Sequence, residues 1–93
     1  MQNTRVAYQG LTADIRPQDL KDALKLLSEM TPEEKNALMV SVTLSLEEAI
    51  ENMHSLTPED MRDAANDIGI WFANEVIEGR SEKYKVMIAP EGR

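Results

Sequence analysis

From Pro17 onward, apolar residues recur at three- and four-residue spacings. Leu20, Ala23, Leu24 and Leu27 share one side, while Lys21, Asp22 and Lys25 face away. This spacing predicts a first helix over 17–30, opened by Pro17 with Asp19 in its first turn. A second helix is expected over 32–54. Its main stripe is Leu38, Val42, Leu46, Ala49, Ile50 and Met53, and a shorter stripe of Ala37, Val40 and Leu44 lies on roughly the opposite side. A third is expected over 58–78. Its main stripe is Met61, Ala64, Ala65, Ile68 and Phe72, extended by Val76 and edged by Trp71, and Ile70, Ala73 and Ile77 lie on its other side. Gly69 costs about 1 kcal/mol in mid-helix relative to Ala, which the close approach of a neighbouring backbone would explain. Gly79 is a natural C-terminal stop.

The starts of the second and third helices are marked twice by one signal. Met30-Thr31-Pro32-Glu33-Glu34 and Leu56-Thr57-Pro58-Glu59-Asp60 are near copies, 26 residues apart. In each, the Thr can cap, the Pro takes the first helical position, and acids fill the first turn. Leu56 and Met61 are placed as a hydrophobic staple. The spacing is shorter than that of the familiar helical-pair repeats, and only two units are visible. Two long helices are therefore expected to begin there, and the chain between the two starts is read as a helical hairpin.

Period-two patterning marks the ends of the chain. Val6 and Tyr8 alternate with Arg5, Ala7 and Gln9, a short strand over 4–9 stopped by Gly10, and 12–16 reads as a turn. Tyr84, Val86 and Ile88 alternate with Lys83, Lys85 and Met87, a second strand over 83–89 bounded by Pro90 and Gly92. A lone strand is unstable, so this one must pair with 4–9, with a second copy, or with a partner. A rival pattern runs through 38–46, where Leu38, Val40, Val42, Leu44 and Leu46 alternate with Met39, Ser41, Thr43 and Ser45. The Thr31 cap and the unbroken run to Met53 favour helix there. The expected fold is mainly α: a three-helix domain with an acidic helical hairpin and short flanking terminal strands. The alternative is α+β, with 38–46 as a strand. Residues 1–93 form one domain, made of an N-terminal segment (1–16), a helical core (17–79) and a basic tail (80–93).

Composition narrows the class. Ninety-three residues with four aromatics, Tyr8, Trp71, Phe72 and Tyr84, support a modest core of Leu, Ile, Val, Ala and Met that gains from oligomerisation. There is no Cys, hence no disulfide framework, thiolate metal site or Cys nucleophile. No apolar run has the length of a membrane span, and the N-terminus lacks a signal-peptide pattern, so a cytoplasmic protein is expected. The net charge of −7 disfavours nucleic acid and anionic lipid. Between Thr31 and Gly79, eleven carboxylates face two basic residues, Lys35 and Arg62. From Arg80 onward, four basic residues outnumber two acids.

The candidate chemistry is that of surfaces. Glu33, Glu34, Glu59, Asp60 and Asp63 lie in or near first turns, where acids stabilise the helix. Glu47, Glu48, Glu51, Asp67, Glu75 and Glu78 need another reason, which a solvated face supplies, and Glu47, Glu48 and Glu51 are also a candidate acidic face toward a partner with a basic surface. Val40, Leu44, Ile70 and Ile77 form a candidate second apolar face for self-association, because a helix in a small domain normally buries one stripe. The tail strand could instead add to another sheet. His54, the only histidine, is expected near the end of the second helix as a favourable cation there, not as a catalytic base. Asp60, Asp63 and Asp67 share a helix face but match no metal motif, and the four glycines form no phosphate loop. No catalytic, cofactor or metal residue is expected. Trp71-Phe72 is read as core, not as a stacking platform.

The expected function is that of a small acidic, non-enzymatic protein-interaction or regulatory protein, an inhibitor or accessory factor of the kind phages and plasmids carry. It is expected to self-associate as a homodimer or larger homo-oligomer. The alternative is a structural or assembly subunit of a larger oligomer.

Overall fold

Gln9 and Gly10 both hold positive φ, 50° and 98°, and fold the chain back on itself. Two consecutive positive-φ residues make the turn whose twist matches a right-handed antiparallel ribbon. In the computed structural model, which describes residues 3–80, this turn joins strands β1 (Thr4–Tyr8) and β2 (Leu11–Ile15). Val6 pairs with Ala13, Tyr8 with Leu11, and Thr4 with Ile15. Val6, Leu11, Ala13 and Ile15 are buried on one face of the ribbon, and Arg5 donates to Asp14 at 3.1 Å on the other. The strand expected over 4–9 is therefore present, but the turn expected over 12–16 is a strand. Leu11, Ala13 and Ile15 need the alternation of an extended chain to reach the core together. Residues 83–89 lie outside the described residues, and β1 takes its partner from the neighbouring segment.

Three helices follow: α1 (Pro17–Ser28), α2 (Pro32–Glu51) and α3 (Pro58–Ile77). Segment 38–46 is helical throughout, so the mainly α fold holds and its α+β alternative does not. Both Thr-Pro starts form complete capping boxes. Glu34 N–H donates to Thr31 Oγ1 at 3.1 Å, and Thr31 N–H donates to Glu34 Oε1 at 2.9 Å. Asp60 N–H donates to Thr57 Oγ1 at 3.0 Å, and Thr57 N–H to Asp60 Oδ2 at 3.2 Å. Two of the orphan donors at each helix start are thereby satisfied. The end of α2 comes earlier than expected, at Glu51. Asn52 leaves the helical region, its side-chain amide donates to the Glu48 carbonyl at 3.0 Å, and Met53–Ser55 continues as a 3-10 turn. His54 is exposed in that turn, three residues beyond the end of the helix it was expected to occupy.

α3 is the centre of the molecule. α1 and α2 pack against it, and β1 and β2 also contact it. Ala64, Ile68, Phe72, Ala73 and Val76 are its buried residues, and Leu20 and Leu27 of α1 and Val42 and Leu46 of α2 are buried with them. Met61, expected in the main stripe, is exposed at the stripe's N-terminal end. Gly69 faces β2, where an added Cβ would meet Ile15 Cδ1 at 3.8 Å, an ordinary contact. The neighbour at Gly69 is thus a side chain and not the backbone that the sequence suggested. Tyr8 of β1 meets Trp71 of α3 edge-to-face, with ring centroids 5.1 Å apart, which fits the reading of Trp71 as a packing residue.

Candidate functional site

α2 packs on one neighbouring helix and leaves its opposite side open. Val42 and Leu46 point into the core, with Leu38, Ala49 and Ile50 partly buried beside them. Half a turn away, Val40 is 51% exposed and Leu44 is 60% exposed. Ala37 is also exposed. The main and shorter stripes read from the sequence are therefore an inner and an outer face. Leu44 is the most exposed large apolar residue among the described ones.

Glu47, Glu48 and Glu51 continue this outer face toward the C-terminal end of the helix, and all three are exposed. The helix dipole disfavours carboxylates in a last turn, where backbone carbonyls already present partial negative charge. Glu48 and Glu51 stand in the last turn of α2, which has no basic residue to offset them, and Glu47 lies one residue before that turn. α3 also ends in two acids, but each has a partner. Glu75 accepts from Arg80 Nε at 2.7 Å and from its Nη2 at 2.8 Å, and Glu78 accepts from Lys35 Nζ at 3.2 Å. The Arg80 guanidinium holds the Glu75 carboxyl below the usual carboxylate range. Within the described residues, the α2 acids have no such ion pair.

The four apolar residues expected on a second face separate into two settings. Val40 and Leu44 are exposed together on α2. Ile70 and Ile77 are half-buried on α3 and pack against the protein's own core. Ile70 also lines an open groove of about 530 Å³ between β2, α1 and α3. Ala23, Leu26, Ala65 and Gly69 line the same groove, and Asp14, Asp19 and Asp22 stand at it. These carboxylates are already engaged. Asp14 accepts from Arg5, Asp22 from Gln18 at 2.9 Å, and Asp19 from Arg16 at 2.8 Å and 3.1 Å. The fork of hydrogen bonds from Arg16 lowers the pKa of Asp19. This groove passed unnoticed in the sequence, because it arises from α1 packing across α3 beside the hairpin.

A second groove, of about 340 Å³, runs between α2 and the start of α3 and brings Glu48 into one lining with Asp60 and Asp63. Asp60 is committed to the Thr57 cap, and Asp67, further along α3, accepts from Ser45 Oγ at 2.7 Å. The three aspartates considered as a cation site are thus divided between a cap, a groove and an interhelix bond. Among the described residues no group of three or more candidate ligands is placed to hold a metal. Among the same residues, no helix is long and apolar enough to cross a membrane.

Comparison with protein-family models, curated proteins and solved structures finds no match to this chain.

Proposed function

We propose that this protein is a non-enzymatic interaction module that binds a protein with a basic surface through the outer face of α2. One observation carries the reading. Glu48 and Glu51 sit in the last turn of α2, where the helix dipole penalises them, and with Glu47 one residue before that turn they stand without compensating partners among the described residues, beside exposed Val40 and Leu44. Residues that break a local rule with no structural return are the ones a binding surface explains. Exposed aliphatic side chains supply area to desolvate, and the carboxylates supply direction and selectivity for a cationic partner.

The test is affinity capture from lysate of the source cell, with the wild type and E47K/E48K/E51K as baits. The expected result is a partner that leaves the wild type as salt rises and that the reversed variant fails to retain. A partner set identical for both baits would remove the acidic face from the function.

The exposed Val40 and Leu44 also favour a second reading, self-association, with assembly of a larger oligomer as its extended form. Sedimentation at high protein concentration separates the two. A dimer or ring dispersed by V40D/L44D supports assembly, and a monomer supports the binding module.

A further inference from the structure

The outer face of α2 carries a regular seam. Glu33, Ala37, Val40, Leu44, Glu47 and Glu51 follow one another at alternating spacings of four and three, and all six are exposed. This is the spacing at which one helix presents a continuous edge to a second helix lying along it. The middle of the seam is apolar and both ends are acidic. Glu48 flanks the seam and leads into the groove that holds Asp60 and Asp63, so the negative charge continues off the helix on that side.

That distribution discriminates between occupants. A second copy laid antiparallel and centred on Val40 places Glu33 of each chain opposite Glu47 of the other. A parallel copy stacks Glu47 on Glu47 and Glu51 on Glu51. Either arrangement sets like charges face to face across the apolar contact, which opposes pairing. A helix with apolar residues at its centre and Lys or Arg at both ends of its seam meets no such opposition.

Resting on the binding reading above, we propose that the α2 seam receives a basic amphipathic helix of a different protein. Ala37, Val40 and Leu44 form the apolar contact. Glu33 takes the partner's basic residues at one end, and Glu47 and Glu51 take them at the other. The charge pattern of the seam opposes a second copy as its occupant.

The experiment is a nuclear magnetic resonance titration of the isotope-labelled full chain with two synthetic helices. Both carry the same leucine seam; one bears Lys and Arg at the remaining interfacial positions, and its twin bears Glu there. The expected result is that the basic helix shifts amides along 33–51, while the twin binds at least about tenfold more weakly. The E47K/E51K variant, its helix content checked by circular dichroism, is expected to reverse that preference. Equal binding of the twins, or shifts confined to the groove between α1 and α3, would overturn the proposal. Concentration-dependent shifts of the same seam without any peptide would assign it to a second copy. Basic-helix binding that strengthens about tenfold in the full-chain K83E/K85E variant would assign it to the tail. If the basic helix leaves α2 unperturbed while E47K/E48K/E51K still loses the lysate partner, the helical occupant falls and the binding module stands. Loss of both results removes both.

Discussion

Gln9 pays for the hairpin turn, because a residue with a Cβ is strained at a φ of 50° while Asn tolerates it better. Q9N is therefore expected to raise stability by about 0.5 kcal/mol. G10A, at a φ of 98°, is expected to lower it by about 1 kcal/mol or more, since the added Cβ is strained there and also meets Met53 Cε at 3.4 Å. Denaturant midpoints of the two variants check both signs. A second residue-scale consequence concerns acid. Glu75 has its pKa lowered in the folded chain by Arg80, from an ordinary value of 4.5. A carboxyl whose folded pKa lies below its unfolded value adds stability above the unfolded pKa and loses it as pH falls through the folded one. E75Q is thus expected to cost a few tenths of a kcal/mol, about the worth of a partly exposed ion pair, at neutral pH. In thermal melts the difference should shrink below about pH 4.5 and vanish in stronger acid.

Elements show which signals in the chain are self-sufficient. The starts of α2 and α3 are legible because Thr, Pro and an acid three residues after the Thr act within one turn, independent of tertiary context. T57A is expected to cost about 1 kcal/mol by removing one such cap. The inner and outer faces of α2 are legible from periodicity, and a paired measurement checks them. L46A is expected to cost about 2–5 kcal/mol, because Leu46 is fully buried, whereas L44A should stay within about 0.5 kcal/mol of wild type. Strand β2 also carries a signal, with Leu11, Ala13 and Ile15 alternating with Thr12 and Asp14. It was obscured because Gln9-Gly10 is a weak hairpin turn signal, so no strong turn separates the two strands. The dipole argument makes a further claim at this scale. E48K/E51K places cations in the last turn of α2 and is expected to raise stability by about 0.3–1 kcal/mol per charge while abolishing partner binding. A loss of stability in that variant would mean that the acids serve the fold.

At the scale of the molecule, the arrangement of α1 and α2 against a central α3 is what the sequence conceals. The connection from α1 to α2 is as short as any helix hairpin's, yet both helices pack on α3. Long-range packing of this kind depends on which stripes fit together, and periodicity alone does not say. It decides the fate of the four apolar candidates. Ile70 and Ile77 are drawn into the neighbourhood of the core, and Val40 and Leu44 remain outside with Glu47, Glu48 and Glu51. The acidic face and part of the apolar face, both placed opposite the main stripe by periodicity, form one exposed surface on α2. The most direct test of that surface is the amide spectrum of the isotope-labelled full chain in unlabelled lysate of the source cell, at low and then high salt. The expected result is signal loss confined to the outer face of α2, centred on Val40, Leu44, Glu47 and Glu51, and restored by salt. Signal loss centred on the groove between α1 and α3, or a spectrum unchanged from that of the chain in buffer, would contradict it.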